Sequence, residues 1–160
     1  MKPMVICLWF NGQAEEAAKF YTSVFKKSKM GDITRWGNVD QPHGGKPGSV
    51  LTVEFELNGT PFVGLNGGPE FQFNEAVSFQ VSCDTQDEID YYWKKLAEGG
   101  GVEVACGWLK DRYGVSWQVY PWKLTDLIKD KDQKKADRVM KAMMQMKKID
   151  LAAIEKAARG

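Results

Sequence analysis

The sequence predicts an α+β fold made of two consecutive βαβββ modules and a C-terminal helical appendix, and three observations carry the prediction. An apolar, β-prone run followed by helical hydrophobic spacing occurs twice, about 72 residues apart, with Ile6 answering Ser78. Short β-prone runs separated by turn signals follow each helical stretch. Residues 123–160 hold no Gly before the last position and are rich in Ala, Met and Lys, a composition suited to helix. At 160 residues and 43% hydrophobic, the chain has room for one core or for two half-size modules. We therefore expect a domain over 1–122, with modules at about 1–70 and 71–122, and an extension over 123–160.

Each element has a local reason. Val5 to Phe10 is apolar and β-prone and ends at Asn11-Gly12. Ala17, Phe20, Tyr21 and Val24 then recur at the spacing of an amphipathic helix. Ile33–Trp36, Ser49–Leu57 and Thr60–Leu65 follow as strands, the last two joined by an Asn58-Gly59 hairpin turn. In the second module Val77–Cys83 is the first strand. Ile89, Tyr92, Trp93 and Leu96 form the helical stripe, with Thr85 and Glu88 as a capping box and Gly99-Gly100-Gly101 as the stop. Val102–Ala105, Trp108–Lys110 and Val115–Tyr120 complete the module, with a turn around Asp111 to Gly114. In the appendix Ala136, Val139, Met140, Met143 and Met146 form a packing stripe, and Asp150 caps a last helix, Leu151–Ala158. The stripe predicts docking on the body or on a second subunit.

Composition excludes several partners. Lys plus Arg is 22 against 21 for Asp plus Glu, so a net charge of +1 gives no long-range attraction for nucleic acid or an anionic membrane. The eleven basic and six acidic residues of 123–160 read as a solvated helix face. Cys7, Cys83 and Cys106 form neither a C-x-x-C nor a Cys/His cluster, so no disulfide framework or zinc site is expected, which fits a reducing cytoplasm. The apolar start is too short and wrongly flanked for a signal peptide, and no stretch approaches a membrane span.

Single residues with possible chemistry have plainer uses. His43, the one histidine, lies in the Pro- and Gly-rich stretch 41–48 with no carboxylate partner nearby and reads as an exposed loop residue. Cys106 has no neighbouring His to activate it and reads as a small buried apolar residue. Leu65-Asn66-Gly67-Gly68-Pro69 is not followed by a helix start, as a nucleotide-binding glycine turn would be. Of the six tryptophans, Trp93 belongs to the helix core, whereas Trp9, Trp108, Trp117 and Trp122 lie in or beside strands where a flat ligand could meet them.

The segments Cys7-Leu8-Trp9-Phe10, Glu15 to Tyr21, Leu65 to Pro69, Cys83-Asp84 with Gln86, Asp90 and Trp93, and Cys106 to Gln118 resemble the PhnB-like family. That family carries the label demethylubiquinone methyltransferase and belongs to the vicinal-oxygen-chelate superfamily of glyoxalases, bleomycin-resistance proteins and dioxygenases. The resemblance implies a glyoxalase-like fold and a homodimer. Metal-dependent members take ligands from the first and fourth strands of each half, and those places fall on Ile6, Phe62, Ser78 and Gln118. None offers the imidazole or carboxylate donors that a divalent metal in an N/O site needs, so no metal and no cofactor are expected.

Alternation along two strands locates a candidate site. Ser78, Gln80 and Ser82 share one face with Ser116, Gln118 and Tyr120, while Phe79, Val81, Trp117 and Val119 turn toward the helices. A polar face of this kind suits a hydrated cleft floored by Ser78, Gln80, Gln118 and Tyr120 and walled by Leu8, Phe62 and Trp108. Its expected partner is a small, neutral, partly aromatic organic molecule. The alternatives are a metal-dependent glyoxalase- or dioxygenase-type enzyme, a methyltransferase acting on a quinone-like phenol, and a protein-binding role for the tail.

Overall fold

The computed structural model describes residues 4–38 and 45–160, so His43 lies outside the described residues. The chain divides into two compact units, residues 1–73 and 74–160. The helical tail falls in the second unit with the second sheet.

In the first unit β1 (Ile6–Phe10), α1 (Ala14–Val24), β2 (Ser28–Arg35), β3 (Val50–Leu57) and β4 (Thr60–Asn66) form a helix-covered sheet of order β1-β4-β3-β2. β1 runs parallel to β4, and the other neighbours are antiparallel. Asn58 and Gly59 both take positive φ, 49° and 81°, the backbone of the tight turn that matches strand twist. α1 buries Ala14, Ala17, Ala18, Tyr21 and Val24 on the sheet and carries Glu15 and Glu16 at its positive end. Its first amide, Ala14 N–H, donates to Asn66 Oδ1 at 2.9 Å. β2 starts five residues before the sequence pattern suggested, because Lys29 and Met30 pair with Glu56 and Phe55 ahead of an irregularity that breaks the alternation.

The second unit repeats this plan. β5 (Ser78–Cys83), α2 (Gln86–Ala97), β6 (Val102–Glu103), β7 (Trp108–Lys110) and β8 (Ser116–Pro121) give the order β5-β8-β7-β6, with β5 parallel to β8. Thr85 Oγ1 accepts from Glu88 N–H at 3.2 Å, and the Glu88 carboxylate accepts from Asp84 N–H at 2.8 Å, so two amides at the start of α2 are satisfied. β6 is only two residues long. Val104 N–H donates to Trp108 O and Trp108 N–H to Ala105 O, which turns the chain before the strand can extend to Ala105.

The β7–β8 turn is wired by one buried carboxylate. Asp111 Oδ1 accepts from the Tyr113 and Val115 amides at 2.9 and 3.1 Å, and Oδ2 accepts from the Trp117 indole at 2.8 Å. Three donors offset the cost of burying that charge.

The tail folds as three helices, α3 (Trp122–Ile128), α4 (Gln133–Met143) and α5 (Leu151–Arg159). Leu124, Leu127, Val139, Ile149 and Ile154 form its core, with Met143 and Met146 packed at the edge. Asp132 and Asp150 cap α4 and α5 through their carboxylates. Met140, expected on the packing stripe, is 37% exposed. Ile149, in the link between α4 and α5, belongs to the buried core instead.

The tail is tied to its own chain by backbone. Cys106 N–H donates to Met146 O and Gly107 N–H to Lys147 O, at 2.8 and 2.7 Å, and the Gln86 side chain bonds Ile149 O and the Leu151 amide.

Candidate functional site

The parallel register of β5 and β8 sets Gln80 opposite Gln118 and Ser82 opposite Tyr120. A hydrogen-bonded ladder crosses this face. Gln118 Nε2 donates to Ser78 Oγ at 2.8 Å, Gln80 Nε2 to Gln118 Oε1 at 3.4 Å, Tyr120 OH to Gln80 Oε1 at 3.2 Å and Ser82 Oγ to Tyr120 OH at 3.0 Å. β7 places Trp108 beside Gln118. The reverse face is apolar: Val81, Leu109, Trp117 and Val119 are buried, and α2 packs on β5, β7 and β8. Hydrophobic burial of that side therefore fixes the direction in which the amides point.

The ladder opens into a cavity of ≈ 410 Å³ within the second unit, a volume suited to a small organic ligand. Gln80, Gln118, Tyr120 and Trp108 line its sheet side, with Cys106 at the loop before β7. The other wall comes from the tail: Trp122, Leu124, Thr125, Ile128 and Met143. No lining residue carries a charge.

The structure thus gathers Gln80, Trp108, Gln118 and Tyr120 around one cavity and bonds Ser78 to Gln118 just outside its lining. Leu8 and Phe62 require a correction. Both are buried in the first unit. Phe62 stacks on Phe55, which stacks on Tyr21 of α1, and Leu8 pairs with Gly64, whose missing side chain would meet Ala14 of α1. They face the helix, so neither walls a cleft on the opposite face of that sheet. The cause is spacing: three residues separate Phe10 from Ala14, whereas two separate Cys83 from Gln86, so the 72-residue repeat slips by one in the strand.

Cys106 also departs from expectation. It is partly exposed at the cavity with φ +58°, because its loop turns back to meet the tail. Cys83 is the buried thiol, and burial, with Glu88 and Asp84 adding to it, pushes its pKa up to about 12. That thiol stays protonated and faces away from the cavity. Of the remaining tryptophans, Trp9 donates to Gly68 O and Trp117 to Asp111, and both serve packing. Of the tail residues of the wall, Trp122 was legible as a residue that a flat ligand could meet, whereas no pattern distinguishes Leu124, Thr125, Ile128 and Met143 from ordinary packing.

The donor set does not fit a divalent metal. Ile6 pairs with Phe62 on the helix side, and Ser78 and Gln118 are engaged with each other. Among the described residues no group of three or more His, Cys, Asp or Glu converges. The Asn66-Gly67-Gly68 segment does not fit a nucleotide cofactor either. Trp9 packs against Gly67 where a side chain would stand, Asn66 caps α1, and irregular chain follows in place of a helix start.

Comparison with known proteins decides the family. Residues 2–120 match the family model described as 3-demethylubiquinone-9 3-methyltransferase. The chain belongs to that family. Within this PhnB-like family, the PhnB protein from Bacillus cereus is similar at 36% identity, with a TM-score of 0.66 over 75% of this chain and 99% of that one. A protein from Pseudomonas aeruginosa is similar at 19% identity and TM-score 0.61, over 76% and 98% of the two chains. The fosfomycin resistance protein FosX from Mesorhizobium loti shares the fold at 12% identity and TM-score 0.55, over 81% and 98%. No curated protein matches the chain. The PhnB-like sequence thus folds as an α+β protein of the kind these structures share, and no helix among the described residues is long and apolar enough to cross a membrane.

Proposed function

We propose that this PhnB-like protein binds a small, neutral, partly aromatic organic molecule in the cavity of its second unit, without a metal, as a cytoplasmic homodimer. One observation carries the reading: an uncharged, amide-lined floor meets aromatic and aliphatic walls in a cavity of ligand size. Gln118 is its centre, because Ser78, Gln80 and Trp108 all adjoin it. The binding serves sequestration or a reaction that needs no metal. The methyl transfer named by the family has no supporting cofactor site among the described residues.

Three measurements test this. Elemental analysis of protein purified without chelator should find no stoichiometric transition metal. Adenosylmethionine should give no saturable thermal shift, whereas neutral aromatic compounds, phenol and acetophenone among them, should raise the melting temperature in a saturable way. Gln118→Leu keeps the size and removes donor and acceptor, so it should weaken that binding by about 1–3 kcal/mol without unfolding the protein. One zinc, nickel, iron or manganese per chain, or an unchanged affinity in Gln118→Leu, would overturn the reading.

A further inference from the structure

The family match ends at residue 120, so α3, α4 and α5 lie beyond it. The Bacillus cereus and Pseudomonas aeruginosa relatives are matched over 99% and 98% of their chains by about three quarters of this chain. Yet half of the cavity wall is tail. Tyr120 joins the two parts, since its hydroxyl belongs to the ladder and its ring packs against the tail core.

The hydrogen-bond balance of the cavity is uneven. Each glutamine amide uses one N–H inside the ladder, Gln118 toward Ser78 and Gln80 toward Gln118, and keeps the other. Among the described residues, neither the Trp108 nor the Trp122 indole, both at the cavity, donates to a protein acceptor. Four N–H groups, one on each of Gln80, Gln118, Trp108 and Trp122, thus remain for a ligand acceptor, and no charged side chain is at hand to hold an anion.

We infer that the tail is the specificity wall of this site and that the site takes a neutral aromatic carbonyl compound. The ring lies against Trp122 and the aliphatic groups of α3 and α4, and the carbonyl oxygen accepts from the spare amide and indole hydrogens. This rests on the proposed reading of the cavity and adds to it the wall that the match to the shared family does not reach. The ≈ 410 Å³ volume admits one such ring with its substituent.

The test compares three probes of similar size on the full chain: acetophenone, ethylbenzene, which lacks the carbonyl, and benzoate, which is charged. Affinities come from titration of tryptophan fluorescence. Acetophenone should bind, with ethylbenzene and benzoate each weaker by about tenfold or more. Trp122→Ala, at a residue 57% exposed, should weaken acetophenone about five- to tenfold with an unchanged melting temperature. Thr125→Phe fills the cavity from the tail side and should abolish binding in a protein that still folds. If Gln118→Leu weakens acetophenone while Trp122→Ala and Thr125→Phe do not, the tail is no part of the site and only the floor stands. Benzoate or ethylbenzene binding as well as acetophenone would sink the carbonyl assignment. No saturable binding of any probe to the parent protein would remove the cavity reading and the inference together.

Discussion

The two sheets share strand order and a helix-covered apolar side, and they differ on the face turned away from the helix. In the first unit that face mixes charge and carbon. Glu56 pairs with Lys29 at 3.1 Å, Thr34 and Thr52 bond across at 2.6 Å, and Glu54 sits beside Val63. In the second unit Ser78, Gln118, Gln80, Tyr120 and Ser82 form one uncharged ladder. The repeat fixes the fold through the buried side, where both copies must stay apolar. The other side is free to diverge, and there one copy carries charged pairs while the other carries an uncharged ladder beside which the tail packs.

The hairpins sharpen this contrast. β3–β4 turns on Asn58-Gly59, with the Asn58 N–H donating to Lys27 O at 2.7 Å, whereas β7–β8 turns on a carboxylate with three donors. Asp111→Ala leaves those donors unsatisfied and should cost about 3–5 kcal/mol in urea unfolding. Gly59→Ala, strained only by its positive φ, should cost about 1 kcal/mol. Equal losses would mean that the two turns are built alike after all.

A smaller effect separates the tail core from its surface. Ile149→Ala should cost about 2–4 kcal/mol, while Met140→Ala should cost less than about 0.5 kcal/mol by the same measurement. The reverse ranking would restore the straight Met stripe as the packing face.

The smallest effect is electrostatic. Lys148 and then Gln86 hold the Asp90 carboxyl below its ordinary value and tie the tail to α2. A depressed carboxyl contributes stability above its unfolded pKa and loses it as pH falls through the folded value, so the contribution should fade below about pH 4. Both groups are largely solvated, and the change with Asp90→Asn should stay well under 1 kcal/mol. A larger loss would show that the pair is better shielded from solvent than its exposure implies, and a loss that appears only as pH rises would show that Lys148 does not hold the carboxyl.

Much of this was legible in the sequence because it follows from burial. The polar and apolar division of β5 and β8 could be read residue by residue, since one side packs on α2 and the other does not. The same method misassigned Leu8 and Phe62, because a one-residue difference in the loop between strand and helix reverses which side a strand residue faces, and no periodicity records that difference. The cavity wall was hidden for another reason. Trp122 directly follows β8 and could be read as a residue beside the strand, but Leu124, Thr125 and Ile128 come to the ladder only through the docking of α3, a tertiary contact, and the short β7 gives no local sign that the tail bonds the loop at Cys106 and Gly107. Met140 lies at the edge of the α4 stripe, one residue past the fully buried Val139, and a helical repeat of sequence does not say where the buried arc ends.

In the proposed reading the second unit alone supplies the site. Titration of acetophenone into uniformly nitrogen-labelled protein, read at side-chain amide and indole N–H resonances, tests it most directly. The account predicts saturable shifts at Gln80, Gln118, Trp108 and Trp122, with Asn66 and Trp9 of the first unit unmoved. Shifts at Asn66 and Trp9 while Gln118 stays fixed would contradict it.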